Sequence, residues 1–308
     1  MSDLHEDIDN YLALRRSLGY KLERDERFLH DFAAFVRRSG SDTITTDLAV
    51  SWATQPADAD RSWWAARLGA VRVFARHQHG IDPRTVVPPA DILPGRSRRA
   101  DPYLYTGDEI LALQSAARSL PSRLRAATYA TLIGLLAVTG MRVGEALALD
   151  RSDIDWPNGV IAIGHAKFDK TRHLLLHPSV TEELRRYQQI RDQWLPAPSA
   201  PSFFLSTAGT RLIYKNVHHC FHALTQKSGL AARTPRCRPR IHDLRHTFAV
   251  TMLTRWYRDG SDIDRELPKL SAYLGHLNPA STYWYLTATP ELLGLAAERL
   301  QAARDASR

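Results

Sequence analysis

Ile241-His242-Asp243-Leu244-Arg245-His246-Thr247 is the stretch from which the rest of the chain can be read. On a helix, His242 and Arg245 sit three residues apart and share a face. They could then bring an imidazole and a planar guanidinium to one phosphate, whose oxygens match the arginine fork. Alone, such a segment is as easily a charged helix surface. Downstream, Leu274-Gly275-His276-Leu277-Asn278-Pro279 is followed by Tyr285, nine residues after His276, with Tyr283 as a competing phenol. Upstream, Thr139-Gly140-Met141-Arg142-Val143-Gly144-Glu145 breaks a helix at glycine and starts another beside an arginine. A cation at a helix start opposes the dipole, unless arginine and helix end both face an anion. The alternative is a structural Arg142–Glu145 pair. Ala166-Lys167-Phe168-Asp169-Lys170-Thr171-Arg172 puts two lysines at the tip of a predicted hairpin between Val160–Ile163 and His173–Leu176.

Around these segments the pattern is mainly helical. Residues 1–82 read as a small all-helical bundle, with apolar positions at helical spacing over Leu4–Leu18, around Phe28–Phe35, over Asp47–Ala53 and around Trp63–Phe74. Residues 83–102 carry Pro83, Pro88, Pro89, Pro94 and Pro102 and read as a basic linker. Residues 103–308 open on a capping box, Thr106 with Glu109. They continue as helices over Arg123–Val138, Ser179–Trp194, Leu212–Gly229, Ile241–Tyr257, Leu267–Leu274 and Pro279–Leu286, and end on an amphipathic tail helix, 290–303. The expected fold is therefore mainly α with one small β-hairpin.

Charge adds direction. The net charge is +8. Residues 1–60 hold seven basic against twelve acidic residues, residues 61–100 eight against two, and residues 231–246 five arginines against one aspartate. Basic patches of this kind suit a polyanion. The two cysteines, Cys220 and Cys237, are too few for a disulfide framework. No run approaches a membrane span, and Met1–Asn10 lacks the features of a signal peptide, so a cytoplasmic protein is expected. His218, Cys220 and His222 could suggest zinc, but no further ligand accompanies them at motif spacing, and no metal site is expected.

The ordered set of Arg142, a hairpin lysine, His242-x-x-Arg245, Leu274-Gly275-His276 and Tyr285 resembles the tyrosine recombinase family of phage integrases, Xer-type recombinases and transposon integrases. The resemblance spans about residues 105–289. It implies a helical core-binding domain followed by a catalytic domain of the DNA breaking-rejoining fold. It further implies Arg142, Lys167, His242, Arg245, His276 and Tyr285 as catalytic residues, with Glu145 supporting Arg142 and Lys170 as rival to Lys167. DNA contacts are expected from Arg67, Arg72 and Arg76, from Arg96, Arg98 and Arg99, and from Lys170, Arg172, Arg236, Arg238 and Arg240. The chemistry follows: two arginines stabilise a pentacoordinate phosphorane, His242 activates the phenol, and Lys167 protonates the departing 5′ hydroxyl. His276 hydrogen-bonds the phosphate. Only about 0.1% of an ordinary tyrosine is ionised at pH 7, so activation is required. The resemblance also implies a 3′-phosphotyrosine intermediate and double-stranded DNA sites as substrate. Four protomers would act on synapsed DNA, with the tail helix packing on a neighbour, accessory proteins possible, and no cofactor. A type IB topoisomerase-like enzyme and a non-cutting DNA-binding regulator are the competing expectations.

Overall fold

Thr45, Asp60, Thr106 and Ser122 each precede a helix and accept a hydrogen bond from a backbone N–H two or three residues on. Each satisfies a donor that the helix itself leaves open. The computed structural model describes residues 3–93, 100–164, 171–276, 278, 280–287 and 290–306. Among these the chain is mostly helical with one small antiparallel sheet, and it divides into two compact units, Met1–Arg99 and Ala100–Arg308. No described helix is long and apolar enough to cross a membrane.

The first unit contains α1 (Leu4–Ser17), α2 (Glu23–Arg38), α3 (Thr46–Thr54) and α4 (Arg61–His79). Ile8, Leu12, Phe32, Trp52, Leu68, Val71 and Phe74 close its core. Arg67 lies inside this bundle and not on its surface, at 8% exposure. Its guanidinium sits 3.8 Å above the Trp52 ring and donates to the Trp52 carbonyl and to Asp31. That occupies a side chain expected on DNA. Arg72 is similarly engaged, donating to the carbonyls of Pro88 and Pro89, whereas Arg76 is exposed. The stretch read as a linker packs on this bundle over its described part. Val86 N–H donates to Ile44, and Val87 and Leu93 lie against the core. Prolines forbid helix but not a bound extended strap. Arg96, Arg98 and Arg99 lie outside the described residues.

The second unit opens with α5 (Gly107–Arg118), whose Thr106–Glu109 capping box is formed, and α6 (Arg123–Thr139). Next come α7 (Val143–Ala148) and a three-stranded sheet: β1 (Ile154–Asp155), β2 (Val160–Ile163) and β3 (Arg172–Leu175). β2 pairs with β3 through Ile161↔Leu174 and Ile163↔Arg172, so the second strand starts one residue before the sequence suggested. β1 is too short to leave a pattern. Lys167 and Lys170 lie outside the described residues. α8 (Pro178–Trp194) and α9 (Tyr214–Lys227) complete the main core. On α9, Cys220 is buried while His218 and His222 are exposed, so the three do not converge on one ion.

α10 (Asp243–Arg258), α11 (Ile263–Leu274), α12 (Ala280–Tyr283), a 3-10 turn at Trp284–Thr287 and α13 (Pro290–Ala306) follow. They enclose a second apolar cluster of Ala249, Val250, Leu253, Leu267, Leu270, Leu274, Tyr285 and Leu292. In this single chain α13 packs in cis on α10, with Leu292 buried and Glu291 paired to Arg258. The expectation of a neighbour's surface for this helix concerned the DNA-bound assembly.

Arg67→Ala tests the buried arginine. Loss of its packing and of its stacking on Trp52 should cost about 2 kcal/mol. Urea unfolding followed by tryptophan fluorescence should show an earlier transition. The slope of log affinity for DNA against log salt should stay that of the unsubstituted protein.

Candidate active site

The site is built on the end of one helix. α11 stops at Gly275, whose φ of +68° closes a Schellman turn: His276 N–H donates to the Ser271 carbonyl and Gly275 N–H to that of Ala272. The next three carbonyls are left to other donors, and three arginines supply them. Arg172 Nε donates to Tyr273 O at 3.0 Å, Arg245 Nη2 to Leu274 O at 2.7 Å, and Arg142 Nη2 to Gly275 O at 2.8 Å. A helix C-terminus carries partial negative charge, so cations are favoured there. Arg245 takes a second helix end as well, donating to Gly140 O at 2.9 Å, the cap of α6.

This arrangement concentrates positive charge. Arg245 is 2% exposed. Burial, and then repulsion from Arg142, push its guanidinium down to about 10, with Tyr285 and Glu145 acting in the opposite sense. A group so placed is stabilised by an arriving anion. Arg142 is the more open of the two, with its side chain 40% exposed. It precedes α7, and Glu145 closes the start of that helix by accepting from Arg142 N–H at 2.7 Å and from its Nη1 at 2.8 Å. The structural pair forms, and the same arginine also donates to the end of α11 at Gly275 O.

Arg172 occupies the other side of Glu145, donating Nη1 and Nη2 to its two oxygens at 2.9 and 2.6 Å. Burial would raise this carboxyl, but the Arg172 fork and the Arg142 donors outweigh it and hold it below the ordinary glutamate value. Arg172 thus has its donors engaged within the protein, with its side chain only 14% exposed. Arg240 is also engaged, clamped on the buried Asp243 carboxylate. Arg236 lies 3.8 Å from Asp101, and Arg238 is exposed beside the Pro235 carbonyl.

His242 is the exposed residue that starts α10, and its helical φ and ψ keep it in register with Arg245. His276 Nδ1 lies 2.6 Å from the buried Thr282 hydroxyl, and its ring stacks on that of Tyr285 at 6.1 Å. Tyr285 is 2% exposed and also touches His246 and Trp284. Its phenol is near enough to Arg245 to act on the charge of that guanidinium. Tyr283, by contrast, is 52% exposed. The structure thus gathers Arg142, Arg245, His242, His276 and Tyr285 around the ends of α6 and α11.

The sequence reading missed three contributors. Arg172 was taken for a surface cation. Asp243, at 0% exposure, anchors the start of α10 through Arg240. His246 lies between His242 and Tyr285, its ring centroid 5.0 Å from the first and 5.4 Å from the second. All three sit beside motif residues, but only tertiary contacts reveal what they do.

This grouping can hold a tetrahedral or pentacoordinate phosphate between two guanidinium groups with a phenol at hand. Residues 104–291 match the profile of the phage integrase family. The chain belongs to that family. A Sinorhizobium fredii protein named as the integrase/recombinase y4rB is 45% identical over 307 residues, covering 98% of each chain. Among solved structures, the Tn1549 transposon integrase in complex with transposon right-end DNA shares the fold at a TM-score of 0.68, with 18% identity and coverage of 97% of this chain and 100% of that one. A lambda integrase tetramer bound to a Holliday junction shares it at 0.58, with 22% identity and coverage of 92% and 76%. The integrase family fold and the recombinase reading of the sequence therefore stand together.

Two outcomes test the site. In Gly140→Ala, the new Cβ would run into the Phe248 ring at Cδ1, at a φ of +60°. It should cost about 2 kcal/mol or more, lowering Tm by several degrees in calorimetry. Sulfate, whose charge is constant over the range, should bind with steady affinity at neutral pH and weaken as pH rises through about 10, where Arg245 loses its proton. Arg245→Met should bind it weakly throughout.

Proposed function

We propose that this integrase-family chain is a site-specific tyrosine recombinase of a mobile element. It cuts and rejoins DNA through a 3′-phosphotyrosine at Tyr285. The observation that carries the reading is the Tyr285 ring stacked on that of His276, beside the turn whose Leu274 and Gly275 carbonyls hold Arg245 and Arg142. Both arginines take the nonbridging oxygens of the scissile phosphate, where charge grows in the transition state. His242 accepts the phenolic proton. Tyr285 Oη forms the bond to phosphorus, and the 5′ oxygen leaves and takes a proton, the role assigned to Lys167. His276, fixed through Thr282, hydrogen-bonds the phosphate.

The reverse step restores the tyrosine when a 5′ hydroxyl from a second strand attacks. One phosphoester replaces another, so bond energy is conserved and no nucleotide cofactor is needed. Four protomers on two synapsed sites are proposed by analogy with the lambda integrase tetramer on its Holliday junction. A mobile-element role is proposed by analogy with the Tn1549 transposon integrase. Among the DNA contacts expected from sequence, Arg76, Arg236 and Arg238 are the exposed described arginines that could meet phosphates.

Supercoiled plasmid carrying the ends of the encoding element, incubated in EDTA and quenched with detergent, should yield a protein–DNA adduct. Tyr285→Phe should abolish it and Tyr283→Phe should retain it. Loss only in Tyr283→Phe would move the nucleophile two residues. No adduct from any form, with DNA binding intact, would favour a DNA-binding protein that does not cut.

A further inference from the structure

We propose that Arg172 is a positioning residue for the transfer reaction: it shares the Glu145 carboxylate with Arg142, so that this carboxylate does not turn wholly onto Arg142, and it ties β3 to the turn that carries His276. The inference rests on the recombinase reading above and replaces the expectation that Arg172 touches DNA. Its side chain is only 14% exposed. It is the first residue of β3. From there it reaches two other elements. It gives both Nη groups to Glu145 and Nε to Tyr273 O.

The Glu145 carboxylate is shared between two arginines. Oε1 accepts from Nη1 of both Arg142 and Arg172, and Oε2 accepts from Arg142 N–H and from Arg172 Nη2. Remove Arg172, and a buried carboxylate loses half of these donors. An underpaired buried charge is costly, so Glu145 would turn wholly onto Arg142 and neutralise the cation that a phosphate must meet. The Gly275 turn would loosen too, and with it the carbonyl that fixes Arg142 Nη2.

Gly275 carries an independent mark of the same device. A Cβ built there would lie 2.7 Å from Arg172 Nη1 and 3.0 Å from its Cζ. Glycine is therefore required twice, for its positive φ and for the space the guanidinium fills. Lysine could not replace this arginine, because one ammonium cannot span a carboxylate in bidentate fashion and also reach a carbonyl.

The test compares Arg172→Gln, Arg172→Lys and the double variant Arg172→Gln/Glu145→Gln with the unsubstituted protein. Adduct formation is measured in single turnover at saturating protein on DNA carrying the element's ends, and affinity on the same DNA. Arg172→Gln should slow adduct formation at least 100-fold with affinity changed less than threefold. Arg172→Lys should recover little. The double variant, which removes both charges, should regain at least tenfold. A staple that only holds the fold together gives no such recovery, and a DNA contact would lower affinity and the salt slope instead; either result overturns the proposal.

Tungstate, a tetrahedral oxyanion, reads the same alignment in DNA-free protein by calorimetry. Arg172→Gln should bind it at least tenfold more weakly, with recovery in the double variant. Equal affinity in Arg172→Gln and the unsubstituted protein overturns the proposal. An adduct missing even from the unsubstituted protein counts against the recombinase reading, and the tungstate comparison still decides the role of Arg172.

Discussion

Three consecutive carbonyl oxygens, at Tyr273, Leu274 and Gly275, each accept from a different arginine. The donors come from β3, α10 and the start of α7, so one helix end fixes the relative positions of three distant parts of the chain. Without these acceptors, the like charges of Arg142 and Arg245 would have no reason to sit together. With them, burial and then repulsion from Arg142 lower the proton affinity of Arg245. An enzyme that must stabilise growing negative charge gains by arranging its cations before the substrate arrives, since no reorganisation is then needed at the moment of reaction.

The proposed nucleophile is governed by a different force. Tyr285 is placed by apolar burial, in a cluster with Leu253, Leu270 and Leu274 from α10 and α11 and Leu292 from α13. Its ring is core and stacks on that of His276. The exposed Tyr283 has no such constraint. Two residues of sequence separate the phenols, yet the short 3-10 turn at Trp284–Thr287 gives them opposite environments.

How much of this was legible follows from the range of each interaction. The helices, the Thr106 capping box and the strand Val160–Ile163 are local, and periodicity or capping chemistry displays them. The residues proposed to carry the chemistry could be picked out by their types and order, which the family resemblance supplies across long gaps. What could not be read was the fate of individual arginines. Arg67, Arg72 and Arg172 look like surface cations in sequence, and the structure engages each on a partner at least fifteen residues away. A guanidinium can serve a phosphate, an indole face or a carbonyl equally well, and only the fold decides which is near. The prolines of residues 83–93 misled for a similar reason. They exclude regular structure but are silent on whether the extended chain packs.

The central claim is that this arginine-capped helix end presents a phosphate to Tyr285. Mass spectrometry of the trapped protein–DNA adduct, after nuclease and protease digestion, tests it most directly. The account predicts a nucleotide joined through its 3′ phosphate to the peptide containing Tyr285, with fragment ions placing it on that residue. A nucleotide on Tyr283 or on a serine, or one joined through a 5′ phosphate, would contradict it.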